Sequence, residues 1–124
     1  MIIWSKSYVA STKGAFFVHL TDRMVLPCSQ HRERPMGARV LTVFLYLSDV
    51  EEGGGTHFPD LGSIAVQPKK GRVVMWPSVR NGDPHAEDER TVHGSFPVEA
   101  GVKYGANAFI HQRDTKEAYA KGCF

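Results

Sequence analysis

The feature that most constrains the fold is an eight-residue run from Val40 to Leu47, composed almost entirely of β-branched, aromatic and leucine residues. A run of this length and composition is typical of a β-strand, and its lack of polar alternation predicts burial on both faces. The three glycines Gly53–Gly55 follow in a polar stretch and predict a turn, because glycine adopts positive φ freely. A buried strand that ends in a turn therefore anchors the fold.

After this run the chain repeats one pattern, in which short β-prone segments are separated by Pro/Gly turns. The further predicted strands are 56–58, 64–66, 72–76, 92–96 and 103–111. No helical periodicity lies between them, and this spacing is typical of an all-β sandwich, barrel or jelly roll. The polar segment 77–90 is long for a connection in a compact β domain, so we expect either a functional lid or a disordered loop there.

Residues 1–36 have a different texture, with no clean period and with Pro27 and Pro35 interrupting any helix. We therefore divide the chain into an irregular or divergent N-terminal segment, 1–36, and a domain core, 37–124, and expect the domain to be N-terminally truncated. Cys28 and Cys123 are too few for a disulfide scaffold or a four-thiolate zinc site. They are either two unpaired thiols or a single bridge.

Charge and hydropathy exclude several partners. The chain carries 15 Lys+Arg and 13 Asp+Glu, a net charge of +2, without a basic block, which argues against nucleic acid as a partner. No apolar run approaches the roughly 18 residues of a spanning helix, so no membrane segment is expected. Hydrolase, phosphate-loop and dinucleotide motifs are also missing. Metal-assisted oxidation is the enzyme class that remains.

Two residues have an arrangement that suggests a site. His93 follows the long polar segment, and Lys103 comes ten positions later at the start of the last predicted strand. Hairpin partners in a twisted barrel face one another, so an inward His and an inward Lys can share one cavity, where the ammonium would need an anion. The alternative for Lys103 is an extended side chain that reaches solvent at the rim.

From Gly37 to Phe124 the chain resembles the prolyl 4-hydroxylases of the 2-oxoglutarate- and Fe(II)-dependent dioxygenase superfamily. The resemblance lies in consistent order in the blocks 37–59, 66–72, 76–79, 90–93 and 97–114. It implies a double-stranded β-helix, a jelly roll of cupin-like type. It also implies one Fe(II) held by a His-x-Asp pair and a later His, with open positions for 2-oxoglutarate and O₂.

By this resemblance His93 matches the later His, and Lys103 matches the residue that binds the far carboxylate of 2-oxoglutarate. We expect the hydroxyls of Thr42 and Thr56 to assist. The implied reaction is hydroxylation of peptidyl proline at C4, coupled to decarboxylation of 2-oxoglutarate to succinate. It also implies L-ascorbate to rescue oxidised iron, a proline-rich peptide or protein as substrate, and location in the endoplasmic reticulum. The segment 77–90 is the candidate for gripping the peptide.

The His-x-Asp pair has no direct counterpart in this chain. The family pattern is an aromatic residue, two residues, His, any residue and Asp. If Phe17 is the aromatic and Asp22 the carboxylate, the His position falls on Leu20, which cannot bind iron. His19 stands one position away, and residues three apart on a strand point to opposite faces, so a bulge would be needed to bring His19 and Asp22 together.

Three hypotheses therefore remain. A bulged His19/Asp22 pair could complete the iron site, or the residues before about Pro35 could be unrelated sequence. In the third, the iron site is lost, leaving a catalytically inactive β-helix fragment or a peptide-binding pseudo-enzyme. His31 and His57 are alternative ligands, with His57 expected to face outward or line the cavity rim. Trp76 and Tyr104 are either core aromatics or residues that stack on proline rings.

Overall fold

The structure is a computed structural model that describes residues 37–114 together with Lys116 and Ala120. Its strands are β1 (Arg39–Tyr46), β2 (Glu52–Gly53), β3 (Thr56–Phe58), β4 (Ile64–Val66), β5 (Val73–Pro77), β6 (Val79–Arg80), β7 (Asp83–Glu87), β8 (Gly94–Ser95), β9 (Val98–Ala100) and β10 (Gly105–His111). A short 3₁₀ helix spans Glu89–Thr91. The prediction of an all-β fold is confirmed.

Several sequence predictions lie outside the described residues. They are the N-terminal segment 1–36 and the residues His19, Asp22, His31, Cys28 and Cys123. The proposed bulge and the question of a cysteine bridge therefore stay predictions.

Two antiparallel three-stranded sheets form the body of the fold. In the first sheet β1 lies between β10 and β5, and in the second β3 lies between β4 and β8. The pairs β2–β9 and β6–β7 are separate two-stranded ribbons. The longest apolar run thus occupies the centre of its sheet, where both of its edges are hydrogen-bonded.

One face of β1 is turned towards the second sheet. Thr42, Phe44 and Tyr46 are buried, whereas the residues that alternate with them are only half-buried. The expectation that β1 is buried on both faces is therefore wrong. Complete burial on one face and partial cover on the other follow from the period-two alternation of a strand in an antiparallel sheet.

The core lies between the two sheets and consists mainly of aromatic rings. Phe44 and Tyr46 meet edge to face, with ring centroids 4.8 Å apart. Phe58 of β3 and Trp76 of β5 meet in the same way at 5.3 Å, which joins the second sheet to the first. Gly105 of β10 lies opposite Tyr46, and a Cβ there would be 2.2 Å from Phe44 Cζ. Only glycine therefore allows β10 to lie this close to that ring.

The polar segment 77–90 is more ordered than the sequence predicts. It contains the β6–β7 hairpin, whose turn includes Gly82 at a φ of 84°. The expectation of a disordered loop is wrong, because Asn81 and Gly82 supply turn chemistry and the flanking residues pair across it. A lid role for this hairpin stays a prediction.

The predicted strand bounds agree with the structure at β3 and β4 and within one residue at each end of β5. The segment 92–96 is strand only over Gly94–Ser95, and the last strand begins at Gly105 rather than at Lys103. Between the predicted strands 92–96 and 103–111 the structure has a further strand, β9, which pairs with β2, and the chain turns at Gly101, where φ is 88°.

Candidate functional site

His93 lies directly before β8, and its ring orientation is fixed by the backbone. Its Nδ1 is 2.9 Å from the carbonyl oxygen of Thr91. A carbonyl can only accept a hydrogen bond, so Nδ1 carries the proton, and in the neutral imidazole Nε2 is the nitrogen that can bind a metal ion. An imidazole whose second nitrogen donates to a backbone carbonyl is the usual arrangement of a metal-binding histidine.

Aromatic rings line the half-buried imidazole of His93. Trp76 lies with its ring centroid 4.5 Å away, and Phe58 lies at 5.5 Å. Both residues are buried and come from opposite sheets. They place the imidazole between the sheets and keep water from that side of it. We call this region, defined by His93, Trp76 and Phe58, the histidine end.

The turn that carries His93 is held by a charged cap. Buried Asp88 caps the 3₁₀ helix by accepting a hydrogen bond from the backbone N–H of Arg90, whose guanidinium also contacts both carboxylate oxygens at 2.8 and 2.7 Å. These hydrogen bonds from Arg90 hold the pKa of Asp88 below its usual value. The buried Thr91 hydroxyl donates to the Asp88 carbonyl at 2.9 Å. The cap therefore fixes the residue whose carbonyl orients His93.

Lys103 is a buried cation, with 4% of its surface exposed. Its Nζ donates to Ser95 Oγ at 2.7 Å and faces the rings of Phe44 and Tyr46 at 5.6 and 5.5 Å from their centroids. Within the described part of the chain, no carboxylate forms a salt bridge with it. Because burial removes water from the ammonium, the pKa of Lys103 falls to about 8.

Two further hydroxyl groups lie near Ser95, because Thr56 is directly opposite Ser95 in the second sheet and is hydrogen-bonded to Tyr46. The Tyr46 hydroxyl donates to the Val66 carbonyl at 3.1 Å and lies 2.5 Å from Thr56 Oγ1. Since the phenol has one proton, the Thr56 hydroxyl is then the donor in the shorter bond. Burial raises the pKa of Tyr46, so the phenol stays neutral. We call this region, defined by Lys103, Ser95, Tyr46 and Thr56, the lysine end.

The two ends face the same space. Ser95 lies opposite Thr56 in the second sheet, and directly opposed residues of antiparallel strands project to the same side. His93 is two residues before Ser95, so its side chain projects to that side as well, about 7 Å along the chain. The structure therefore brings His93, Lys103 and Thr56 to one space between the sheets.

Thr42 is buried but belongs to the histidine end. It lies opposite Trp76, and its Oγ1 is 3.2 Å from Ser78 Oγ. It lies four positions before Tyr46, which is about 13 Å along a strand. The structure thus does not bring Thr42 to the lysine end, where we expected it to assist Lys103.

His57 points away from this space, because it alternates with the inward Thr56 and Phe58 of β3. Its ring stacks on Phe96 with centroids 4.8 Å apart. Trp76 is a core residue beside His93, whereas Tyr104 is exposed. Among the residues that the structure describes, no group of three His, Cys, Asp or Glu side chains could hold a metal ion. This part of the chain therefore offers His93 as one ligand.

Sequence reasoning missed two residues of the lysine end, Tyr46 and Ser95. Tyr46 was hidden in an apolar run, where a phenol is not distinguished from a core ring. Ser95 could have been found, because the i, i+2 relation to His93 places both on one side of an extended strand.

Comparison with known proteins identifies the family of this chain. The sequence profile of the 2OG-Fe(II) oxygenase superfamily matches residues 6–111. The chain therefore belongs to that superfamily. Membership implies Fe(II) as the metal and 2-oxoglutarate as the cosubstrate.

The individual relatives are prolyl hydroxylases. Over 78 residues, 62% of this chain, it is 45% identical to prolyl 4-hydroxylase subunit alpha-2 of Gallus gallus, and the match spans 14% of that protein. Over 77 residues it is 40% identical to prolyl 4-hydroxylase subunit alpha-2 of Caenorhabditis elegans, covering 62% of this chain and 14% of the relative. The matches thus span about one seventh of these relatives.

A solved structure shows the same fold. The viral collagen prolyl hydroxylase from Paramecium bursaria Chlorella virus 1, determined as a 2OG complex, superimposes with a TM-score of 0.68 and 28% identity. The superposition covers 85% of this chain and 56% of the viral chain. The predicted double-stranded β-helix is confirmed.

Within the described residues, no helix has the length and apolar character needed to cross a membrane.

The described residues fit the groups that the superfamily implies. A dicarboxylate needs a cation, and Lys103 is a buried ammonium whose hydrogen-bond partner is a neutral hydroxyl. Iron needs an imidazole lone pair, and the Thr91 carbonyl selects the tautomer of His93 that presents it on Nε2.

Proposed function

We propose that this chain is a 2-oxoglutarate- and Fe(II)-dependent dioxygenase that hydroxylates peptidyl proline at C4, with decarboxylation of 2-oxoglutarate to succinate. The observation that carries the proposal is the buried ammonium of Lys103, which faces the same space as His93 and donates to the neutral hydroxyl of Ser95. The similarity to prolyl 4-hydroxylase alpha subunits and to a viral collagen prolyl hydroxylase supports proline as the target.

Lys103 would bind the far carboxylate of 2-oxoglutarate. A buried ammonium gains a charge-assisted hydrogen bond from such a carboxylate, and the carboxylate is compensated in return. Bound there, the dicarboxylate would replace the water that burial has removed from the ammonium. Thr56 lies at the same end, and its hydroxyl would turn its proton from Tyr46 to the bound carboxylate, while Tyr46 keeps its hydrogen bond to the Val66 carbonyl.

His93 would hold the iron through Nε2, together with the predicted ligands His19 and Asp22. Iron and 2-oxoglutarate together supply the activation of O₂ and the transfer of one oxygen atom to the substrate. The chain's own residues orient the imidazole through the Thr91 carbonyl and exclude water with the rings of Trp76 and Phe58.

The β6–β7 hairpin is our candidate for binding the proline-rich peptide. It lies just before the cap that carries His93, so a peptide held on it would lie close to the histidine end. Exposed Tyr104 is available to stack on a proline ring, whereas Trp76 is already packed in the core. Ascorbate as the reductant and the endoplasmic reticulum as the compartment stay predictions from the resemblance.

The alternative function is a peptide-binding pseudo-enzyme or inactive β-helix fragment that lacks a complete iron site. It is favoured by one observation: the sequence has Leu20, which cannot bind iron, where the family pattern places the first His. The two functions differ in whether the chain retains iron.

The test loads the full 124-residue chain with Fe(II) under anaerobic conditions and removes excess metal. Iron content, 2-oxoglutarate-dependent succinate formation and the mass of a proline-rich peptide are then measured. We expect about one iron per chain, succinate in proportion to added peptide, and one added oxygen per modified proline. A chain with the circular dichroism of a folded β protein, but without iron or succinate, would establish the alternative.

A further inference from the structure

Ser95, a residue of the lysine end, connects Lys103 to His93. Ser95 Oγ accepts the hydrogen bond from Lys103 Nζ at 2.7 Å and donates to the Phe96 carbonyl at 3.2 Å. One ammonium hydrogen and the Ser95 hydroxyl hydrogen thus each have a defined acceptor. The hydroxyl is held by its own backbone, so it offers Lys103 an acceptor at a fixed position rather than a freely rotating one.

Ser95 is also tied to His93 through the covalent chain. The two residues are separated only by Gly94, and both side chains project into the space between the sheets. Neither β8 residue is free to shift along the strand, because Ser95 and Gly94 pair with Thr56 and His57 of β3. The distance from the imidazole to the hydroxyl that holds the ammonium is therefore set by one short stretch of paired backbone.

Without the hydrogen bond to Ser95, the Lys103 ammonium could change its position in the site, and that position decides which length of diacid fits. Its ammonium faces the rings of Phe44 and Tyr46, whose centroids are more than 5 Å from Nζ and which offer no hydrogen-bond acceptor that would fix its position. A lysine has four rotatable side-chain bonds and three donor hydrogens, so an ammonium without a fixed acceptor can retract or extend. The hydrogen bond to Ser95 removes that freedom.

We infer that Ser95 is a positioning residue that holds the Lys103 ammonium at a set distance from the His93 imidazole, so that the site selects a five-carbon keto diacid over a six-carbon one. This inference rests on the proposed function, in which the keto acid end lies at His93 and the far carboxylate at Lys103. Ser95 acts through Lys103 and needs no contact with the diacid itself.

The test is a calorimetric titration of the full chain, loaded with Mn(II) in place of iron, with 2-oxoglutarate and with 2-oxoadipate. The variants are Ser95→Ala, which removes the hydroxyl, and Ser95→Thr, which keeps it. Ser63→Gly is the control, because Ser63 is exposed on a turn at a φ of 57° that glycine accepts. Thermal unfolding of every variant is measured alongside.

We expect Ser95→Ala to weaken binding of 2-oxoglutarate about tenfold, which corresponds to about 1.4 kcal/mol. The preference for 2-oxoglutarate over 2-oxoadipate should fall severalfold, because a released ammonium can retract to accept the longer acid. Ser95→Thr should restore both values, and Ser63→Gly should leave both unchanged. In turnover with a peptide, KM for 2-oxoglutarate should rise in Ser95→Ala while kcat changes by less than about twofold.

Two results would overturn the inference while leaving the proposed function intact. In the first, Ser95→Ala binds each of the two acids with the same affinity as the wild type does. In the second, Ser95→Ala weakens both acids equally and Ser95→Thr does not restore them, as a structural defect would. Failure of the wild-type chain to bind either acid would instead overturn the proposed function, and the inference with it.

Discussion

The lysine end and the histidine end of the inter-sheet space are built in different ways. At the lysine end, strands of both sheets contribute side chains that hydrogen-bond to one another, and the pieces are all within the described residues. At the histidine end, a single imidazole is held by a backbone carbonyl and flanked by aromatic rings. The lysine end thus has its cation and that cation's hydroxyl partner within the described residues, whereas the proposed metal site at the histidine end needs further ligands.

This difference means that the two ends can be damaged separately. A change at His93 should remove metal without touching the ammonium, and a change at Lys103 should remove the anion site without touching the metal. If the two ends were instead parts of one packed core, either change would mainly lower stability. The predictions that follow use this contrast, starting with the largest expected effect.

Replacing His93 breaks the histidine end. We expect His93→Ala to lose retained iron and all detectable succinate formation, since losing an outer partner alone weakens metal binding up to about 100-fold and losing the ligand costs more. Metal analysis after gel filtration measures this. His57→Ala is the matched control, because that imidazole lies on the outer side of β3, and it should retain iron as the wild type does. Iron bound equally by both variants would contradict the assignment.

Replacing Lys103 breaks the lysine end. Lys103→Met should raise KM for 2-oxoglutarate by roughly 100-fold or more, because removing one partner of a buried ion pair costs about 3–5 kcal/mol. Iron retention should be unchanged. Exposed Lys69→Met serves as the control and should keep the wild-type KM. A KM that is insensitive to Lys103 would place the far carboxylate elsewhere.

The buried ammonium also makes stability depend on pH when no ligand is bound. The pKa of Lys103 is about 8 in the folded chain against 10.5 when exposed, so the folded chain loses this proton before the unfolded chain does. Stability should therefore rise with pH above 8, by about 2 kcal/mol between pH 8 and 10. Urea unfolding at the two pH values measures this. The same rise in Lys103→Met would show that another group causes it.

A substitution at Gly105 tests how closely β10 approaches the Phe44 ring, which faces the Lys103 ammonium. A Cβ at this position would be 2.2 Å from Phe44 Cζ, whose ring faces Lys103. We expect Gly105→Ala to destabilise the fold by about 1–3 kcal/mol through overpacking, and to weaken 2-oxoglutarate binding with it. Gly94→Ala is the control for stability, because nothing lies within 4 Å of a Cβ there. Equal unfolding midpoints for the two variants would contradict the close approach of β10 to Phe44.

Asp88 tests whether the cap positions His93. Asp88→Asn keeps the shape but removes the charge that Arg90 contacts through two nitrogens, so the turn around Thr91 should loosen. We expect iron affinity to fall by about tenfold, at the low end of the roughly 10–100-fold loss for an outer partner of a ligand, because Asp88 acts on His93 only through Thr91. Because the pKa of Asp88 is lowered, its contribution to stability is present above the usual carboxyl pKa and is lost as pH falls through the folded value. The variant should show less acid destabilisation than the wild type.

The sequence could predict those parts of the fold that depend on local pattern. The apolar run of β1 and the short alternating strands β3 and β4 were visible, because β-branched and aromatic residues mark strands and glycines mark turns. The β6–β7 hairpin was not visible. Its strand β7 carries Pro84 and acidic residues, which usually argue against a strand, and its pairing is decided by the turn at Gly82.

The site was predictable where a residue type is unusual for its place. A lysine next to a predicted strand and ten positions after a histidine was a candidate, and the family resemblance gave it a role. Its partner Ser95 did not stand out, since a serine near a turn is common. Thr42 shows the converse: a threonine on the correct strand was expected at the lysine end, but only the register of β1 shows that it lies opposite Trp76 instead.

The most direct test of the central claim follows the Lys103 ammonium itself. The full chain, labelled with ¹⁵N lysine and free of metal, is titrated with pH in the absence and presence of 2-oxoglutarate, with Lys103→Met assigning the resonance. We predict a pKa of about 8 without ligand that rises towards 10.5 when the dicarboxylate binds, because the carboxylate stabilises the charged form. A pKa for Lys103 that stays unchanged at every concentration of 2-oxoglutarate would contradict the account.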